Sequence, residues 1–148
     1  MNERALKLWV VLSRAHASVE AHVRADIARH GLTSGEFGAL EVLHSKGPML
    51  LGEVKKKILL SSGGITYVVD RLEEKGLVER RACPEDRRAS YAALTEEGAA
   101  LMERIFPLHA AAVARAVSGL SVAEQEEASV LLRALGRHAE RLTGVEDR

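Results

Sequence analysis

ILLSSGGITYVVDRLEEKGLVERRACPEDRRASYAALTEEG, residues Ile58 to Gly98, is the stretch around which the rest of the chain is arranged. It reads as a helix, a turn and a two-stranded ribbon. Ser61 or Ser62 can cap the helix start, because a hydroxyl accepts from the free backbone N–H groups of a first turn. Ile65, Val68, Val69 and Leu72 recur at helical spacing and give one apolar face. The other face carries Ser62, Gly63, Thr66, Tyr67, Asp70 and Arg71. Gly76 is placed to close the helix in a left-handed conformation. Leu77–Arg80 and Ser90–Leu94 then read as strands, joined by the polar tip Cys83-Pro84-Glu85-Asp86-Arg87-Arg88. A polar-faced helix followed by a hairpin with an arginine-rich tip suits duplex DNA. The helix would enter the major groove while the tip reaches an adjacent minor groove.

Individual residues sharpen that expectation. Gly63 and Gly64, expected in the first helical turn, each cost about 1 kcal/mol of helix stability relative to Ala. Their missing side chains allow close approach to a DNA backbone, and helix N–H groups there can donate to phosphate. Thr66 offers a methyl for thymine or a hydroxyl for a base edge. Tyr67 can reach a base or a phosphate, and Arg71 lies on the same face. Upstream, Lys55, Lys56 and Lys57 face outward from a brief helix. They are either a solvated face or phosphate contacts that position a protein without reading sequence.

Composition sets the frame. The 148 residues, 47% of them hydrophobic, fit a single domain with a real core. No apolar run approaches the roughly 20 residues needed to span a bilayer, and no signal-peptide pattern opens the chain. One cysteine rules out an internal disulfide framework and fits the cytoplasm. Net charge is zero, with 21 basic and 21 acidic residues, so the chain is no generic polyanion binder. Residues 46–91 hold ten Lys/Arg against seven Asp/Glu, a net of +3, and the remainder balances it at −3. The basic excess therefore sits in the segment expected to read DNA.

Residues from about Asn2 to His30 form one long helical pattern through Leu8, Leu12, Ala15, Val19, Val23 and Ile27. Trp9, Val10 and Val11 make its first half apolar on nearly every side, which means burial within the subunit or against a second copy. Thr33-Ser34-Gly35-Glu36 fits a capping box, with Leu32 and Phe37 as the accompanying hydrophobic staple. Phe37, Leu40 and Leu43 continue the stripe until Gly47-Pro48, and Met49–Leu51 is short enough for a small strand. A brief helix then turns Val54 and Ile58 inward. Thr95 caps a helix patterned by Leu101, Ile105, Leu108, Ala112 and Val113, which Pro107 should kink. Ser121–Glu124 is a second capping box, before a helix expected to turn Ala128, Leu131, Leu132, Leu135 and Leu142 inward. From Val145 the charged end should fray.

The run S-S-x-x-I-T-x-x-V-D-R-L-E-x-K-G-L-V-x-R, followed by D-R-R and L-T-x-x-G, resembles the multiple-antibiotic-resistance regulator (MarR) family of winged helix-turn-helix repressors. The match through Ile58–Ser62, Ile65–Asp70 and Cys83–Arg88 is similar to a narrower subgroup, the methylhydroquinone-responsive regulators. The resemblance covers nearly the whole chain. It implies a mainly α fold with a small β-wing, made of one MarR-type domain over 1–148. Residues 1–31 and 100–148 would be dimerisation helices and 33–98 the winged DNA-binding lobe. It implies a homodimer on an inverted-repeat operator in double-stranded DNA, released by a small aromatic, phenolic or quinone-like effector. Asp86 would orient Arg88 for insertion into a minor groove while Arg87 faces phosphates. The DNA-contacting set is then Lys55, Ser61, Ser62, Gly63, Gly64, Thr66, Tyr67, Arg71, Asp86, Arg87 and Arg88. An effector pocket would lie between the first and second helices and the start of the fifth, near Leu12, His16, Phe37, Ile105 and Phe106.

Other chemistries find less support. Cys83 sits among Arg80, Arg81 and Arg87, and nearby cations favour a reactive thiolate, although a small residue at a strand end needs no redox task. His16 and His22 are six apart and point to different helix faces. His109 and His138 have no adjacent cysteine or acidic residue, so no metal site is expected. No phosphate-cradling glycine loop, nucleophile elbow or convergent carboxylate pair is present, so neither an enzyme nor a cofactor is expected. The competing class is a helical protein-binding adaptor whose winged lobe does not read DNA.

Overall fold

The structure is a computed structural model describing residues 1–58 and 64–146. Along the described chain run α1 (Glu3–Arg29), α2 (Ser34–Lys46), β1 (Met49–Leu50), α3 (Leu51–Lys57), α4 (Ile65–Glu74), β2 (Val78–Ala82), β3 (Ser90–Leu94), α5 (Glu96–Ala116) and α6 (Val122–Glu146). The chain divides into two compact units, Met1–Val113 and Ala114–Arg148, so the boundary falls inside α5. No helix among the described residues is long and apolar enough to cross a membrane.

The first unit is built around α2. Thr33 caps it in the expected box: the Glu36 N–H donates to Thr33 Oγ1 and the Thr33 N–H to Glu36 Oε1, both at 3.2 Å. Leu32 and Phe37, on either side of that cap, are buried in one core with Leu40 and Leu43. Against α2 pack the end of α1, α3, α4 and β3. Ile27, Val54, Val69, Leu72, Met102 and Ile105 are nearly inaccessible to solvent. Each such side chain stabilises the fold by about 1.5–3 kcal/mol relative to exposure.

The wing is more than the two-stranded ribbon expected. β1 pairs antiparallel with β3, Met49 opposite Ala92 and Leu50 opposite Tyr91. On its other side β3 pairs with β2, from Val78 opposite Leu94 to Ala82 opposite Ser90. Two residues are too few to mark a partner by pattern, and β1 finds its partner some 40 residues on only in the folded chain. Ala92 and Ala93 sit in the middle strand, fully buried, where their small side chains let helices close over the sheet.

The turn from α4 into β2 is fixed by backbone geometry. Gly76 has φ +73°, the Gly76 N–H donates to Glu73 O at 2.9 Å and the Leu77 N–H to Leu72 O at 3.0 Å. That pair of bonds is a Schellman closure, and it satisfies carbonyls the helix would leave open. Leu77 O then accepts from the Thr95 N–H at 3.1 Å. Thr95 Oγ1 donates to Gly76 O at 2.7 Å and accepts from the Gly98 N–H at 3.1 Å, so it caps α5 and ties α5 to the same turn.

Several expectations change. α4 begins at Ile65 with Gly64 as its N-cap, in extended backbone (φ −74°, ψ 144°), so Gly64 lies ahead of the first turn rather than inside it. Ser61, Ser62 and Gly63, and with them the expected serine cap, lie outside the described residues. Pro107 lies inside α5, as expected. Leu108 is exposed, while Met102 and His109 take the buried positions. In the second unit, Ser121 and Glu124 form their capping box, at 2.8 and 3.2 Å. The α6 stripe does not turn inward: Leu131, Leu132, Leu135 and Leu142 are all exposed. One helix and the last turn of another supply no second layer to enclose such a stripe.

Candidate nucleic-acid interface

α4 presents one buried and one open face. Val68, Val69 and Leu72 are buried, with Ile65 packed against the same core, which anchors the helix. Thr66, Tyr67, Asp70, Arg71 and Glu74 are exposed on the other side, Tyr67 at 63%. The Arg71 guanidinium lies over the Tyr67 ring, 5.6 Å from its centre, and pairs with Glu74. The hydrogen bond and the charge of Glu74 raise the Arg71 pKa above the ordinary arginine value. Gly64 has open space around its Cα, so the entrance to α4 is bare backbone. Lys55, Lys56 and Lys57 are exposed on the last turn of α3, Lys56 paired with Glu53.

At the wing tip, Asp86 Oδ1 accepts from the Arg88 backbone N–H at 2.9 Å, and Asp86 O accepts from the Ala89 N–H at 3.2 Å. The aspartate thus acts on the arginine through the main chain, fixing the turn from which its side chain departs. Arg87 and Arg88 are exposed, and neither has an ion-pair partner among the described residues. Cys83 is half-buried behind this tip. Two of the three arginines near it in sequence are already taken, Arg81 by Glu79 at 2.8 Å and Arg80 by carboxylates of α4.

Those carboxylates are functional surroundings that the sequence left unread. Arg80, pointing from β2 toward α4, holds Asp70 at 2.8 Å and also pairs with Glu73. Burial works against its cation, but the bond to Asp70 and the charges of Glu73 and Asp70 outweigh it and raise its pKa. Acidic residues on a helix meant for phosphates were the available signal. Similarly, Lys75, at the end of α4, donates to Glu36 Oε2 at 2.5 Å and to Gly31 O at 3.0 Å.

The five expected effector residues have different surroundings. Phe37 and Ile105 belong to the packed core, and the Phe37 ring lies 4.4 Å from that of His109. Leu12 is half-buried. His16 is exposed beside Glu20 at 3.7 Å, and Phe106 is 40% exposed with its ring 6.4 Å from that of His44. His109 does have an acidic partner after all: its Nδ1 lies 3.0 Å from Asp26 Oδ2, in a buried contact 83 residues long. His30 Nε2 approaches the same oxygen at 3.5 Å. No local pattern could have announced that cluster. Among the described residues, no three His, Cys, Asp or Glu side chains are placed to hold a metal ion.

The family model described as MarR family matches residues 30–89. The HTH-type transcriptional regulator MhqR of Bacillus subtilis (strain 168) is 47% identical over 139 residues, covering 94% of this chain and 96% of that protein. Among solved structures, the MarR family regulator Sco3205 from Streptomyces coelicolor, in complex with DNA, superposes with a TM-score of 0.82 at 26% identity, covering 93% and 89% of the two chains. BpsR of Bordetella bronchiseptica, whose DNA binding is regulated by 6-hydroxynicotinic acid, gives 0.78 at 28% identity, covering 88% of this chain and 98% of that one.

Proposed function

The chain belongs to the MarR family, and from that premise we propose that it is a cytoplasmic homodimeric repressor released from its operator by a small aromatic effector. It is a MarR-type transcriptional regulator that binds DNA. The observation that carries the mechanism is the pairing of an open polar face on α4 with a wing tip whose two arginines are free of ion pairs among the described residues. Thr66, Tyr67 and Arg71 would face the major groove, and Lys55 and Arg87 the phosphates. Arg88 would enter a minor groove, most favourably a narrow A·T-rich one with its deeper negative potential. Gly64, at the entrance to α4, leaves bare backbone that suits close approach to a phosphate, and Ser61, Ser62 and Gly63 would join it in contacting the duplex.

Dimerisation is supported by apolar faces exposed in the single chain. Leu6, Leu8, Trp9, Val10 and Val11 of α1 are exposed, as are Val130, Leu131, Leu132, Leu135 and Leu142 of α6. Contiguous apolar surface of this kind marks an interface. A two-fold dimer demands an inverted repeat, with half-sites about 34–36 Å apart. An effector acts only through its different affinities for operator-competent and incompetent spacings of the two heads. BpsR, regulated by a hydroxylated aromatic acid, supports the effector class, and the quinone-responsive subgroup that the sequence resembles narrows it toward phenols and quinones.

The test is an electrophoretic shift with the duplex upstream of the protein's own coding sequence, followed by a screen of phenols and quinones for release. Binding without any release would discard the effector. Absence of a shift, with capture of a protein partner instead, would favour the adaptor. Repeating the release with Cys83→Ser separates a pocket from a thiol, since phenols that cannot alkylate should still act.

A further inference from the structure

α4 carries two carboxylates where a DNA-reading helix is expected to meet phosphates. Asp70 is about half exposed on the same side as Thr66 and Tyr67, and Glu73 lies one turn on at i+3. Left alone, both would repel a polyanion. Arg80 answers them from the neighbouring strand: its guanidinium reaches Asp70 Oδ1 at 2.8 Å, pairs with Glu73 and comes within 3.5 Å of Thr66 O. A planar guanidinium presents several donors in a fixed fork, so one side chain can serve two carboxylates at once. Its side chain is only 28% exposed, which leaves it little freedom to turn toward solvent. The strand register contributes as well, since Arg80 is paired with Ala92, whose small side chain is fully buried.

We propose that Arg80 is a positioning residue for DNA binding, an internal counter-ion that neutralises Asp70 and Glu73 so that the open face of α4 can approach phosphates. It does this without touching the duplex itself. The inference rests on the DNA-binding role of α4, and it separates Arg80 from Arg87 and Arg88, which have no such internal partners among the described residues.

A mutant cycle on the full-length protein tests it, with the duplex upstream of its own coding sequence as probe. Arg80→Met should weaken binding about tenfold or more at low salt, and the loss should shrink as salt screens the exposed carboxylates. Asp70→Asn with Glu73→Gln should bind at least as tightly as wild type. Adding Arg80→Met to that double variant should change affinity by less than about twofold, because nothing is left to neutralise. Thermal unfolding of each variant separates loss of binding from loss of fold. Arg80→Lys, which keeps the charge but not the fork, should fall between wild type and Arg80→Met. If Arg80→Met still costs about tenfold in the double background and lowers the salt slope by about one, Arg80 contacts phosphate and the proposal is wrong. If the double variant alone loses as much as Arg80→Met, the bridge is only a brace for the wing, which also overturns it. Wild-type protein that binds no duplex would instead sink the DNA-binding role, before any variant is compared.

Discussion

At the scale of single residues, two positions show how context decides sign. Gly98 occupies the first turn of α5, where helix propensity alone says that alanine should help by about 1 kcal/mol. A Cβ there would sit 2.0 Å from Leu77 O, the carbonyl already bonded to the Thr95 N–H. Backbone on both sides leaves no room to yield, so Gly98→Ala should destabilise by about 1–3 kcal/mol, as overpacking does. A urea midpoint at or above that of wild type would contradict it. The glycine of the L-T-x-x-G motif is thus a matter of close approach between α5 and the turn before β2. Arg88→Ala is the converse case, a change invisible to folding. It should weaken operator binding by about tenfold and lower the salt slope by about one, with unfolding unchanged. Affinity within twofold of wild type at matched salt would remove Arg88 from the interface.

Elements are held by their ends. Gly76→Ala forces a Cβ into φ +73° and brings it 3.3 Å from Glu97 Oε2. It should cost about 1–2 kcal/mol in the denaturation midpoint, the usual penalty for a left-handed alanine. An unchanged midpoint would show that the α4–β2 turn relaxes freely. This turn, both capping boxes and the Thr95 cap were legible because a hydroxyl, a carboxylate or a glycine at fixed offsets makes its own bonds within a few residues. What was not legible depends on distance along the chain. β1 has no identity until β3 lies beside it, and the Asp26–His109 contact joins α1 to α5 across 83 residues. Arg80 was readable as a strand residue but not as the partner of α4. Helical periodicity also misassigned the inside of α6, since an apolar stripe says that a face must be covered without saying by which chain.

For the whole molecule, that uncovered surface dominates. The first ten residues are all exposed, among them Leu6, Leu8, Trp9 and Val10, and an α6 stripe stands open in the second unit. With each aliphatic side chain worth about 1.5–3 kcal/mol on burial, a few from each copy would hold a permanent dimer. Deleting residues 1–12 should therefore lower dimerisation and operator binding together, by sedimentation and titration respectively. A truncated protein that remains dimeric and binds normally would show that this face serves something else.

Lys75 bears on how such a dimer would work. By holding Glu36 and Gly31 O at once, it fastens the end of α4 to the first turn of α2 and to the loop before it. Those two contacts brace the joint between α4 and the α1–α2 corner. In the proposed dimer, each head would be aimed by the stem it grows from, as the points of a pair of callipers are set by the angle at the pivot. Base-pair spacing would then be measured mechanically, far from the bases themselves.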